Sequence, residues 1–170
     1  MISFIPVATE NLDQLLELSK TTFRDAFEHL NNPDNFQHYF SSAFTVEKLR
    51  TELKNPDSAF YFAQFNGNNA GYIKLNYASA QTEFKDDDAV EIERIYVLAG
   101  YQGKEIGKKL IAFAIEKAIA KQLRYIWLGV WEHNQNAIRF YEREGFAQFS
   151  THQFVLGSDV QTDILMRKFL

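Results

Sequence analysis

Apolar and polar residues follow two different periods along the chain, and these periods predict its secondary structure. Alternation or an unbroken apolar run indicates a strand, whereas apolar residues three and four apart indicate a helix. Thr9 is the expected N-cap of the first helix, and Asn66-Gly67 favours a tight turn between two strands. The predicted strands are residues 2–7, 58–65, 70–78, 89–98, 125–131, 146–156 and 160–169; the predicted helices are 9–30, 45–54, 135–144 and one from 107, with a short helical piece at 36–40.

One predicted strand changes its period in the middle. In residues 89–98, Ile92 and Ile95 are three positions apart, whereas Ile95 and Val97 are two apart. A strand that keeps all three side chains inside needs one inserted residue, so a β-bulge is predicted near residues 93–94. The alternative is a strand buried on both faces, where the parity of apolar positions has no meaning.

Composition and charge remove several functional classes. The 170 residues carry 18 Lys and Arg against 22 Asp and Glu, a balance that argues against a nucleic-acid partner. The absence of cysteine excludes disulfides, thiolate metal sites and cysteine nucleophiles, and the four histidines lack a metal-binding spacing. No apolar run approaches the length of a membrane span and no signal peptide is evident, so we expect a cytoplasmic protein with no membrane or metal.

The segment between the bulged strand and the next helix, Gln102–Lys108, has the character of an anion site. A strand–loop–helix turn presents free backbone N–H groups at the positive end of the helix dipole, and Gly103 and Gly107 permit close approach. A nucleotide-binding P-loop is excluded because the glycine spacing is one residue short and Lys109 replaces the hydroxyl that would hold Mg²⁺. By spacing alone, the segment is equally compatible with a simple charged turn.

Three segments in register resemble motifs of the GNAT family of N-acetyltransferases. Gln102-Gly-Lys-Glu-Ile-Gly107 resembles the Q/R-x-x-G-x-G/A loop, and Glu91–Val97 is similar to the bulged fourth strand of that family. Asn134-Gln-Asn-Ala-Ile-Arg-Phe-Tyr141-Glu-Arg-Glu-Gly-Phe146 matches N-x-x-A-x-x-F-Y-x-x-x-G-F. The resemblance implies a single-domain α/β fold over residues 1–170, with a mixed sheet of about seven strands, bulged in the fourth, and about four helices.

The resemblance also implies acetyl-CoA as co-substrate and assigns roles to individual residues. Tyr141 would protonate the departing thiolate, and Glu91 or Glu93 would accept the amine proton, directly or through water. Each residue also has a purely structural interpretation. Tyr141 would be a core residue and Asn134 an N-cap, and each glutamate would be a solvated or ion-paired residue of the strand. The implied cofactor-binding residues are Ile95, Tyr96, Val97, Gln102, Gly103, Lys104, Glu105, Ile106, Gly107, Lys108, Asn134 and Tyr141.

One glycine position of the loop motif is occupied by Glu105. If this position has a positive φ, a non-glycine residue costs about 1–2 kcal/mol. A carboxylate aimed at pyrophosphate would weaken cofactor binding further, whereas one that points to solvent would weaken it mildly.

A narrower resemblance concerns the acceptor. The segments EIERIYV, YQGKEIGKKL and FVLGSDVQTD are similar to PaiA-like polyamine acetyltransferases, which implies spermidine or spermine as substrate and is compatible with a homodimer. The alternatives are acetylation of protein lysine or N-terminal amines, and a non-catalytic domain that binds acyl-CoA. An aromatic and carboxylate-lined pocket would favour polyamines, and an open groove would favour protein substrates.

Overall fold

The computed structural model describes residues 1–170 and contains one seven-stranded sheet and five α-helices. The strands are β1 (Ile2–Pro6), β2 (Ser58–Phe65), β3 (Asn68–Tyr77), β4 (Ala89–Val97), β5 (Tyr125–Trp131), β6 (Ala147–Leu156) and β7 (Asp159–Phe169). The helices are α1 (Leu12–Phe27), α2 (Pro33–Ala43), α3 (Val46–Lys54), α4 (Ile106–Ala120) and α5 (Gln135–Arg143). The predicted α/β class and the number of strands are confirmed.

The strands lie in the order β1-β2-β3-β4-β5-β7-β6, and only the β4–β5 pair is parallel. The apolar sides of α4 and α5 pack with one face of the sheet in the largest core cluster. The other face is covered by α1 and α3, which pack on β2 and β3, and by α2, which packs on β6. The sheet is therefore the middle of three layers.

The N-terminal helices differ from the sequence-based expectation in two respects. Thr9 is not an N-cap, because it begins a short 3-10 turn and its hydroxyl is directed to the Glu10 carboxylate at 3.4 Å. The number of helices is five rather than about four, because α2 is a full helix. The Asn32 side chain caps its first amides and Pro33 occupies its first turn, so one segment both separates α1 from α2 and starts α2.

The predicted bulge in β4 is confirmed. Lys74 of β3 pairs with Arg94 and Leu75 pairs with Ile92, which leaves Glu93 as the extra residue. Because of this insertion, Ile92, Ile95 and Val97 all contribute to the core beneath α4 and α5. The alternative of a strand without a bulge is wrong.

The parallel pair β4–β5 separates halfway along its length. Pairing runs only from Ala89 opposite Tyr125 to Ile92 opposite Leu128, and it stops at the bulge. Beyond that point β4 stays bonded to β3, and β5 stays bonded to β7. The two strands therefore diverge and leave an opening through the middle of the sheet.

Candidate active site

A cleft of about 600 Å³ occupies the opening between β4 and β5. Its wall includes the β4 segment 91–97 and the β5 segment 127–131. Asn134 and Tyr141 of α5 line it as well, together with side chains of α1, α2, β6 and β7. Of the predicted site residues, the structure brings Glu91, Glu93, residues 95–97, Gln102, Asn134 and Tyr141 to this one cleft.

The loop before α4 presents a row of free backbone donors. None of the N–H groups of residues 103–108 donates a hydrogen bond within the chain, and the first helical bond runs from Lys109 N to Glu105 O at 3.1 Å. Gly103 (φ +78°) and Glu105 (φ +60°) are both left-handed, which turns successive amides toward the same side. These amides, the helix dipole and the exposed Lys104 and Lys108 fit a pyrophosphate group.

Glu105 therefore has the positive φ at which the sequence analysis expects a non-glycine residue to be strained. We expect a Glu105→Gly variant to bind acetyl-CoA about fivefold more tightly, since it removes a negative charge beside the anion site. Calorimetric titration with acetyl-CoA measures this change. Glu105→Gln is the matched control because it removes the charge and keeps the strain. Unchanged affinity in both variants would mean that position 105 does not limit cofactor binding.

The β4 segment after the bulge has one free edge. Ile95, Tyr96 and Val97 pair with β3 on one side and with no strand on the side that faces the cleft. The Gln102 side chain donates to the Val97 carbonyl at 3.2 Å, so it ties the anion loop to this edge. The edge is suited to bind the amides of an extended pantetheine arm.

Asn134, the N-cap of α5, and Tyr141 within that helix have different surroundings. Asn134 accepts a hydrogen bond from Ala137 N at 3.3 Å and caps the helix, which leaves its amide N–H group free for a ligand. Tyr141 is buried in the main core cluster, and burial raises its pKa well above the usual range for tyrosine. Its hydroxyl therefore stays protonated at neutral pH, and the raised pKa makes it a weaker acid than an ordinary tyrosine.

Glu91 is buried and fully bonded. Its carboxylate accepts hydrogen bonds from Thr82 N (2.8 Å), from the Thr82 hydroxyl (2.5 Å) and from Asn76 Nδ2 (3.2 Å). Burial raises the pKa of Glu91, and these hydrogen bonds offset part of the rise. The carboxylate anchors the loop between β3 and β4, and its role in proton transfer stays a prediction.

Glu93, the bulged residue, belongs to an ion-pair network. It contacts Lys74 and Arg94, and it accepts a hydrogen bond from Asn76 Nδ2 at 2.7 Å. Burial alone would raise the pKa of Glu93, but the charges of Arg94 and Lys74 outweigh it and hold the pKa below its usual range. Such a carboxylate is a weak base, and its role in proton transfer stays a prediction.

Several residues of the cleft were not singled out from the sequence. Asp163 of β7 lines the cleft in register with Trp131 of β5 and His152 of β6, and His152 Nδ1 contacts the Glu83 carboxylate. The only signal for Asp163 was its place in the segment FVLGSDVQTD, because a single carboxylate in a strand has no distinctive pattern.

The structure contains no group of three or more His, Asp or Glu side chains arranged to hold a metal ion. None of its helices combines the length and apolar character needed to cross a membrane.

Comparison with known sequences agrees with this geometry. Residues 12–146 match the model of the acetyltransferase (GNAT) family. An uncharacterized N-acetyltransferase in the pepI 3′ region of Lactobacillus delbrueckii subsp. lactis is 40% identical over 169 residues, covering 99% of this chain and 98% of that protein. The spermine/spermidine N(1)-acetyltransferase of Bacillus subtilis is 26% identical over 106 residues, covering 59% of this chain and 70% of that protein.

Solved structures share the fold. The PaiA N-acetyltransferase of Thermoplasma acidophilum, in complex with coenzyme A, superposes with a TM-score of 0.81 at 23% identity and covers 100% of this chain and 99% of its own. The ribosomal-protein-S18-alanine N-acetyltransferase of Escherichia coli gives a TM-score of 0.74 at 16% identity, and the superposition covers 99% of this chain and 94% of that chain. The family match, the divergent β4–β5 pair and the free amides before α4 agree, and the chain belongs to the GNAT family of acetyl-CoA-dependent N-acetyltransferases.

Proposed function

We propose that the protein transfers the acetyl group of acetyl-CoA to a primary amine of a polyamine of the spermidine and spermine class. The observation that carries this proposal is the lining of the cleft on the face away from α4 and α5. Aromatic rings from α1, α2 and β6 stand there beside the carboxylates of Asp25, Glu83 and Asp163. Aromatic faces and carboxylates together suit a flexible chain that carries several ammonium groups.

The two sides of the cleft suit the two substrates. On the α4–α5 side, the amides of residues 103–108 would hold the pyrophosphate, while residues 95–97 and Asn134 would hold the pantetheine arm. Bound acetyl-CoA supplies a thioester, whose departing sulfur would take a proton from Tyr141. The amine would enter from the opposite face, so that donor and acceptor meet at the opening between β4 and β5.

The amine must lose a proton before it attacks. An alkyl ammonium with a pKa near 10.4 is about a thousandth neutral at pH 7.4, which corresponds to about 4 kcal/mol. The sequence resemblance assigns this proton to Glu91 or Glu93. Both carboxylates already accept hydrogen bonds from the chain, so a transfer to either of them would run through water.

Two further observations support the small-molecule acceptor. The partial match to a spermine/spermidine N(1)-acetyltransferase and the structural likeness to a PaiA N-acetyltransferase point the same way. Protein N-terminal amines remain the second candidate, because the fold is also shared with a ribosomal-protein acetyltransferase. A homodimer stays a prediction; β6 is an outer strand of the sheet and Val155 on it is exposed.

The test is release of coenzyme A thiol from acetyl-CoA, followed with a thiol-reactive dye. The chain contains no cysteine, so the protein itself gives no background. Spermidine, spermine and shorter diamines are compared with lysine peptides and with a peptide that has a free N-terminus. We expect kcat/KM to be at least about tenfold higher for spermidine than for any peptide, since one extra bound ammonium contributes about 1.4 kcal/mol or more. Preference for a peptide would overturn the polyamine assignment and keep the acetyl transfer.

A further inference from the structure

The carboxylates that line the cleft are not equivalent. The two beside the bulge accept several hydrogen bonds each, and Glu83 lies against His152. Asp25 is exposed on α1. Asp163, in the middle of β7, is partly buried and forms no hydrogen bond or ion pair within the chain. It is the sheltered carboxylate of this cleft that is free to take a ligand.

The surroundings of Asp163 leave room for such a ligand. Gly129 of β5 is its neighbour, and a Cβ atom on Gly129 would lie only 3.8 Å from Asp163 Oδ2. Because Gly129 has no side chain, β5 places no side chain over this side of the carboxylate. Tyr39 approaches from α2: burial raises the pKa of its phenol, and the negative charge of Asp163 contributes to the rise.

Asp163 and Tyr141 lie on opposite faces of the sheet. Asp163 shares its face of β7 with Leu165, two residues away, which packs against Trp127. Tyr141 packs with α4 on the other face. A thioester held in the opening between β4 and β5 would thus have a proton donor on one side and an unpartnered carboxylate on the other.

We propose that Asp163 binds the ammonium group of the acceptor and takes its proton. This assignment rests on the proposed function, because it requires an amine acceptor. The same carboxylate would first hold the cation in front of Gly129 and then act as its base.

The transfer conserves protons and electron pairs. One proton moves from the ammonium nitrogen to a carboxylate oxygen of Asp163, which leaves a neutral amine. The nitrogen lone pair forms the N–C bond with the acetyl carbonyl carbon, the C–S bond breaks, and its electron pair goes to sulfur. Sulfur takes the proton of the Tyr141 hydroxyl, and the second nitrogen proton restores Tyr141 through water. Asp163 then releases its proton to solvent.

The electrostatic environment is consistent with a base. Burial raises the pKa of Asp163, and nearby His152 opposes part of this rise. A carboxylate with a raised pKa is a stronger base at the pH where it is still ionised. The other titratable or charged groups on this side of the cleft are Glu83 on the β3–β4 loop, Tyr39 on α2, Asp25 on α1, Tyr72 on β3, and Glu91, Glu93, Arg94 and Tyr96 on β4.

The test is an Asp163→Asn variant, which keeps the shape of the side chain and removes its charge and basicity. We expect kcat/KM for spermidine to fall about 100-fold, the acidic limb of its pH profile to disappear, and the dissociation constant of acetyl-CoA to stay unchanged. Asp159→Asn is the matched control. It removes the same charge at an exposed position at the start of β7, where the carboxylate contacts only Gln161.

A second measurement separates this proposal from the proposed function. Calorimetric titration of spermidine into the protein with coenzyme A measures amine binding without turnover. If the wild type binds spermidine and Asp163→Asn does not, the result supports Asp163 as the site that binds the ammonium group. Turnover of spermidine by the wild type and equally by Asp163→Asn would overturn the role of Asp163 and leave the polyamine function standing. An acidic limb that persists in Asp163→Asn and disappears in Glu91→Gln would also overturn it. A wild type that neither binds nor acetylates any amine would overturn both.

Discussion

A Tyr141→Phe variant is expected to lose about 10³-fold in kcat, while the dissociation constant of acetyl-CoA changes by less than about twofold. The substitution removes one oxygen atom from a ring packed between Phe140 and Phe146, so the core keeps its shape. In the proposed mechanism, the substitution removes the proton donor for the coenzyme A thiolate. Burial raises the pKa of Tyr141, so the phenol stays protonated at neutral pH and its own ionisation should not limit kcat below about pH 10.

The measurement is steady-state kinetics with spermidine together with calorimetric titration of acetyl-CoA. Tyr61→Phe is the matched control, because Tyr61 of β2 packs on Phe113 of α4 and does not line the cleft. An unchanged kcat in Tyr141→Phe would show that the thiolate leaves without this donor. Parallel loss of acetyl-CoA affinity would instead show that the hydroxyl serves in binding.

The features that sequence predicted best depend on local spacing. Ile92 and Ile95 are three residues apart, and Ile95 and Val97 are two apart. If all three side chains are buried in the core, the strand needs an inserted residue, and this reasoning predicted the bulge. The loop before α4 was predicted in the same way, from the spacing of glycines and a following helix. For the bulge the interval within one strand was enough, whereas the loop needed the resemblance to the GNAT motif to separate an anion site from a simple charged turn.

The features that sequence did not predict depend on residues that are distant in the chain. Lys74 lies in an aromatic-rich strand and gives no sign that it is buried, yet it meets Glu52 of α3 and Glu93 of β4. Asp163 is significant only because Gly129 of β5 lies beside it and because its carboxylate forms no hydrogen bond within the chain. α2 was underestimated for a different reason: residues 31–35 lie between two predicted helical segments, although Asn32-Pro33 starts a helix.

The network around the bulge combines two cations and two carboxylates from three elements. Glu52 Oε2 lies 2.7 Å from Lys74 Nζ and 2.8 Å from Arg94 Nη1, and Glu93 contacts the same two cations. Lys74 is the most deeply buried of the four, with 6% of its side chain exposed. These pairs hold the inserted residue of β4 against β3 and α3, and so they maintain the geometry from which the cleft opens.

A Lys74→Met variant is therefore expected to lower the free energy of unfolding by about 3 kcal/mol, because it leaves two carboxylates with a single cation in a sheltered place. Equilibrium urea denaturation at pH 7 measures this loss. Lys48→Met removes the same charge from an exposed position of α3 and should change stability by less than about 0.5 kcal/mol. A double variant with Glu93→Gln restores the balance of charges and should recover part of the loss.

The pH dependence of this loss follows from the lowered pKa of Glu93. A carboxyl group whose pKa is lower in the folded state stabilises the protein above its unfolded pKa, and this contribution is lost as the pH falls through the folded value. In Lys74→Met the pKa of Glu93 should rise, so acidification protonates the unbalanced carboxylate and relieves its cost. The difference in stability between wild type and variant should therefore narrow between about pH 7 and pH 4. A difference that stays constant over this range would mean that Lys74 acts through the packing of its side chain on Phe60 rather than through its charge.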